Sequence, residues 1–197
     1  MQTLLKLSRA VDWLNSLIGR YVIWLILAST VISAVNAVVR KAFNMSSNAY
    51  LEVQWYLFAA SFLLAAGYTL LNGEHVKIDV ISSRLSKRAQ IWIDVIGFTL
   101  FLMPFCLAIL WFGTPFFLKA FYSGEMSSNA GGLIRWPVYA LVPIGFGLLG
   151  LQGVSELIKR FAYLQGLIDD PTKKTQHKTA EEELAEAILA HTKGARP

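Results

Sequence analysis

The feature that most limits the fold is a set of four long apolar runs separated by charged segments. They cover residues 21–39, 51–71, 91–118 and 136–158, and a helix that crosses a bilayer needs about 20 mainly apolar residues. Arg20 and Arg40–Lys41 bracket the first run, and Lys159–Arg160 stop the fourth. Backbone N–H and C=O groups find no water in hydrocarbon, so each run is expected to satisfy them internally, as a helix. The composition agrees. It is 55% hydrophobic and 16% charged, whereas a soluble domain carries roughly 45–50% and about 25%. The sequence therefore predicts an all-α integral membrane protein with about four transmembrane helices. Residues 1–165 form the membrane domain and 166–197 a polar tail.

The first run follows a polar stretch and exceeds the roughly 7–15-residue core of a secretory signal, so it reads as a retained span. Of the 18 lysines and arginines, fourteen fall on the side that holds both termini and four on the other. Positive charge marks the cytoplasmic side, which puts both termini inside and loops 41–50 and 119–135 outside. Between spans two and three, Val76–Arg88 sets Ile78, Ile81 and Leu85 on one helical face and Lys77, Arg84 and Arg88 on another. That pattern predicts an amphipathic surface helix in the headgroup layer, with Ser86 as a cap for the third span. In the tail, Thr179 and Glu182 form a capping-box pattern ahead of a modest helix with Leu184 and Ile188, and the tail is expected to be either mobile or bound to a partner.

Several chemistries lack their residues. Membrane haem needs histidines within the spans, but His75 lies at a span boundary and His177 and His191 in the tail. The single cysteine, Cys106, has no partner for a disulfide or a metal cluster. The net charge of +5 is distributed around the apolar runs rather than along a stripe with interleaved aromatics, so nucleic acid is not an expected partner. No cofactor and no catalysis are expected. Glu52, Asp94 and Glu156 are the acidic residues within spans; pairing with cations at the helix ends accounts for them as well as a partner membrane protein does. Pro104 and Pro115 read as kinks in span three.

Packing surfaces are plainer. In lipid, helices approach closely at small residues. Span one offers Ser29, Ser33 and Ala37 with Asn36 beside them, and span four offers Gly145, Gly147, Gly150 and Gly153. Such stripes serve either the chain's own bundle or a second protein. Trp24, Trp55, Trp92, Trp111 and Trp136 fall mostly near span ends, as an aromatic belt requires.

Two stretches carry a family resemblance. One is Leu51–Phe58, followed by Gly67-Tyr68-Thr69-Leu70 and by Gly73-Glu74-His75-Val76-Lys77-Ile78-Asp79-Val80. The other runs from Asn129-Ala130-Gly131-Gly132-Leu133 through Arg135-Trp136-Pro137 to Pro143, Gln152-Gly153 and Glu156. Together they resemble the small (Q) membrane subunit of TRAP (tripartite ATP-independent periplasmic) transporters, in the branch with a longer loop between spans three and four. The resemblance implies a bacterial inner-membrane complex. A periplasmic substrate-binding protein delivers an organic anion, commonly a carboxylate, to a large sodium-driven subunit that the small one scaffolds.

It also implies roles for particular residues. Glu52, Gln54, Trp55, Ser29, Ser33 and Asn36 would meet the large subunit. His75, Lys77, Asp79, Arg84 and Arg88 would hold the surface helix against membrane lipids or that subunit. Glu125, Asn129 and Arg135 would touch the docking binding protein. The alternative is a small membrane adaptor whose tail recruits a soluble protein.

Overall fold

The computed structural model describes residues 1–44, 47–73 and 85–170. Residues 76–84 of the expected surface helix and the capping box at Thr179 lie outside the described residues, and so do His75, Lys77, Asp79 and Arg84. Lys87 and Arg88, expected to end that helix, instead open the helix of the third span, with Ser86 as its N-cap. Among the described residues, four helices are long and apolar enough to cross a membrane: α1 (Gln2–Phe43), α2 (Asn48–Leu71), α3 (Lys87–Ser123) and α4 (Trp136–Leu164). Alternating in direction, they give the all-α membrane fold that the apolar runs predict.

Helix α1 differs most from expectation. It has 42 residues, about 63 Å at 1.5 Å per residue, or twice the roughly 30 Å of a hydrocarbon core. Hydropathy marked only its second half. The first half continues as helix with one polar stripe, Ser8, Asp12 and Asn15, facing another helix rather than water. Ser8, Asn15 and Val22 are buried, and Ser29 and Asn36 are half-buried. This spacing of seven keeps one stripe of α1 against its neighbours. Asn44, at φ 52°, ends the helix, with Arg40 and Lys41 in the last turn, where cations complement the helix dipole.

Ser86 caps α3, its Oγ accepting a hydrogen bond from the Ala89 N–H at 3.4 Å. Within α3, residues Phe98–Leu102 form a π-helical stretch, and the Met103 N–H bonds back to the Phe98 carbonyl. Pro104 follows directly. Proline has no N–H to give the residue four before it, and its ring crowds that carbonyl. The wider turn accommodates this, so the first proline expected to kink span three adjoins a π-bulge. Pro115 stays within the helix.

Helix α4 is the hub. It packs against α1, α2 and α3, while α1 also pairs with α2. Small residues set these seams. A Cβ at Gly145 would stand 2.7 Å from the Leu63 carbonyl oxygen and 3.0 Å from its carbonyl carbon, and one at Gly150 would touch Cys106 Cβ at 3.6 Å. On the α1–α2 seam, Gly19 lies under the Tyr68 ring and Gly67 under Asn15, and the Ser29 hydroxyl donates to the Gln54 carbonyl at 3.0 Å. Much of the glycine and serine pattern is thus used inside the chain. Gly147 faces open space, and Ser33 is exposed. Around the bundle, large apolar side chains such as Phe101 and Trp111 keep 74% and 78% of their surface uncovered, as lipid or a membrane partner requires.

The two glycines form a matched pair. Gly145→Val should force α2 away from α4, an overpacking cost of about 1–3 kcal/mol, and lower the melting temperature of the purified chain. Gly147→Val should leave that temperature unchanged. Equal effects at the two positions would show that the α2–α4 seam is not this close.

Candidate functional site

Two polar layers, one near each end of the bundle, hold most of the buried polar residues. The first lies where α1 begins and α4 ends. Its α4 side is Gln152, Ser155, Glu156 and Lys159, spaced three and four residues apart on one face; Arg160 continues it. Gln152, Ser155, Glu156 and Arg160 are buried. From α1, Ser8 shares a 2.7 Å hydrogen bond with the Ser155 hydroxyl, and Asn15 Nδ2 donates to Gln152 Oε1 at 2.9 Å. Asp12 accepts from Gln152 Nε2 at 2.8 Å and from Ser155 Oγ at 2.7 Å, and Lys159 pairs with it at 3.2 Å. Lys159 and Arg160 also both pair with Glu156.

Arg160 extends the layer to α3. Its Nε and Nη2 donate to Asp94 Oδ2 at 3.0 and 2.9 Å, and its guanidinium stacks 4.6 Å from the centroid of Phe98, at the start of the π-stretch. The layer contains three carboxylates and two cations, each within a hydrogen-bonded pair. Asn15 Oδ1 is buried without a hydrogen-bond partner and faces Gly67, where only a residue lacking Cβ fits; a weak Cα–H contact is what that geometry offers it.

The second layer is built on Glu52, in the first turns of α2 and 1% exposed. Its carboxylate accepts from the Ser127 hydroxyl, from Asn129 Nδ2 at 2.9 Å and from the Leu133 N–H at 2.6 Å. All three donors belong to the α3–α4 loop, which closes on itself through a bridge between Met126 and Ile134. At its base the Arg135 N–H donates to the Glu125 carbonyl at 2.9 Å. The Arg135 guanidinium donates to the Tyr139 hydroxyl at 3.2 Å and pairs with Glu125 at 3.7 Å. The Tyr139 hydrogen bond first, with the charge of Glu125 adding to it, holds Arg135 above its ordinary pKa.

The structure thus brings Glu52, Asn129, Glu125 and Arg135 to one end of the bundle and spends much of their polarity within the chain. Gln54 is half-buried with its Nε2 unpaired, and Trp55 is 49% exposed beside Tyr56. Ser29 lies on the α1–α2 seam, whereas Asn36 makes no hydrogen bond with the described residues. Arg88, exposed in the first turn of α3, is the one described member of its group. The sequence reading missed Ser8, Asp12 and Asn15 as a binding face. The spacing of seven in α1, matched by Gln152, Ser155, Glu156 and Lys159 in α4, was the signal available for it.

Fold and polar layers together define a multi-pass α-helical membrane protein whose buried charges are paired or hydrogen-bonded within the chain. Residues 29–162 match the family described as tripartite ATP-independent periplasmic transporters, DctQ component. That is more than half of the chain, which belongs to this family: it is the small (Q) membrane subunit of a TRAP transporter. The family is a transporter component and implies association with other TRAP components. No curated protein and no solved structure gave a match.

The layers separate by experiment. Arg160→Met leaves Asp94 and Glu156 without their shared cation, and breaking a buried pair from one side costs about 3–5 kcal/mol; the melting temperature should fall by more than for any single lipid-facing substitution. A value equal to wild type would mean the layer is solvated. Glu52→Ala should act locally instead. Trypsin should cut after Arg135 on the order of tenfold faster while the helical circular dichroism stays constant. An unchanged cleavage rate would remove Glu52 as the anchor of the loop.

Proposed function

We propose that this subunit is a non-catalytic scaffold. It holds the large, elevator-type subunit of a sodium-driven transporter that takes organic anions such as carboxylates from a periplasmic binding protein. In this reading the chain lies in the bacterial inner membrane with both termini in the cytoplasm. Residues 1–165 are its membrane domain, and the segment from 166 is a cytoplasmic tail.

The distribution of polarity carries the reading. A protein that moves an ion needs ionisable groups facing a pathway. Here Asp12, Asp94, Glu156, Lys159 and Arg160 face one another. The lateral surface is different. The outer half of α1 shows Val31, Val35 and Val38, and α3 shows Phe101, Phe105, Trp111 and Phe112. A shallow apolar groove runs past Leu107, Leu110, Trp111, Thr114 and Pro115. Such faces favour a subunit that contributes surface rather than a pathway.

The proposed contact with the large subunit centres on Ser33, Asn36, Gln54 and Trp55. Asn36 is half-buried on the packing stripe of α1 and makes no hydrogen bond with the described residues, and an interhelical hydrogen bond in lipid contributes about 0.6–2 kcal/mol. Glu52 acts at one remove by fixing the loop beside this contact. The same loop presents Glu125, Asn129 and Arg135 toward the proposed docking side of the binding protein. His75, Lys77, Asp79 and Arg84, with Arg88, remain proposed contacts to lipid or to the large subunit.

The test is co-purification. Both membrane subunits are produced together and the tagged small subunit is isolated in mild detergent. Wild type should recover the large subunit in about equal amount, as a one-to-one scaffold does. Asn36→Leu combined with Trp55→Ala should recover several-fold less, with the small subunit's own melting temperature unchanged. Undiminished recovery from the double variant would refute this contact, and recovery of a soluble cytoplasmic protein instead would favour an adaptor.

A further inference from the structure

The face of α1 turned away from the bundle has no part in either polar layer. Ser8, Asn15 and Val22 mark the buried side. Lys6, Arg9, Trp13, Arg20 and Trp24 follow one another along the other side, and all five are exposed. At 3.6 residues per turn they fall within an arc of about 60°, centred about 150° from the buried stripe. Trp13 and Trp24 keep 66% and 61% of their surface uncovered by the described residues.

The stripe is chemically one-sided. It has three cations and no carboxylate. The acid nearest to it in sequence, Asp12, is turned inward to Gln152, Ser155 and Lys159. Among the described residues, Lys6, Arg9 and Arg20 take part in no ion pair. Water would solvate the cations but leave two indole faces wet. Hydrocarbon would cover the indoles but strand the cations. The headgroup layer serves both, because indoles favour that depth and anionic phosphates attract lysine and arginine.

The stripe lies opposite the packed face, on which Ser8 meets Ser155 and Asn15 meets Gln152 with α1 and α4 antiparallel.

We propose that Lys6, Arg9, Trp13, Arg20 and Trp24 form a docking surface for anionic phospholipid headgroups at the N-terminal end of the bundle. This surface is distinct from the proposed contact at Asn36 and Trp55 and does not depend on the scaffold reading.

The test uses the full-length chain in nanodiscs containing a small fraction of brominated phosphatidylglycerol or, separately, brominated phosphatidylcholine. The chain has six tryptophans, so the fluorescence difference between wild type and Trp13→Phe isolates the Trp13 signal. Brominated phosphatidylglycerol should quench that signal several-fold more than brominated phosphatidylcholine, with each cation contributing up to about a fivefold local enrichment. In Lys6→Gln/Arg9→Gln/Arg20→Gln the two lipids should quench equally, whereas Arg40→Gln/Lys41→Gln at the opposite end should keep the preference. Equal quenching in the wild-type chain overturns the proposal and needs no variant. A preference that survives the triple substitution also overturns it, as does a Trp13 that neither lipid reaches.

Discussion

The contact between the first half of α1 and the last turns of α4 sustains the rest of the bundle. In water, apolar faces drive helices together; in lipid that force is missing, because acyl chains are as apolar as leucine. Close packing and polar contacts must do the work. Asp12, Lys159, Glu156, Arg160 and Asp94 supply the polar part and tie α1, α4 and α3 at one level. Serine, asparagine and glutamine fill the remaining positions, so that each buried charge has partners. A partly filled network would leave unpaired charges in a low dielectric, which makes its completeness as important as its strength.

The opposite end follows the same logic with a loop in place of a third helix. Glu52 gathers a hydroxyl, an amide and a backbone N–H from residues 127–133, and the loop hydrogen-bonds back onto α2. Tyr56 Oη donates to the Ile134 carbonyl at 3.1 Å and Asn48 Nδ2 to the Ala130 carbonyl at 3.0 Å. Between the two layers the seams are built of glycine, serine and alanine. The chain is thus fastened at both ends and closely packed between, while its sides stay broadly apolar. Membership of the TRAP small-subunit family is consistent with that division, since a component of a larger complex needs a stable interior and a surface left over.

How much of this was legible depended on whether the signal was local. The number of spans, their approximate places and the Ser86 cap could all be read, because length, hydropathy and capping act over a few residues. The first half of α1 was harder to see. Its polar residues lower the hydropathy of the segment, and a hydropathy window does not distinguish a polar face that meets water from one that meets Gln152 and Ser155. Glu52 was recognised as unusual within a span. Its partners lie 75 to 81 residues away, and no spacing rule reaches so far. The π-stretch before Pro104 belongs to an intermediate case, in which the proline signalled a distortion but not its form.

The sequence by itself determined that this chain lives in a bilayer as four helices, because apolar runs without internal backbone satisfaction have no other stable state there. It also determined the family, through short motifs and their order. Tertiary structure alone decided which polar groups meet. The glycines pack α2 against α4 and α1 against α2, the seven-residue stripe turns Asp12 and Asn15 inward, and Lys6, Arg9 and Trp13 are thereby left facing out. The physical reason is that helicity is settled by each segment's own backbone and solvent, whereas pairing is settled by which faces fit at close approach.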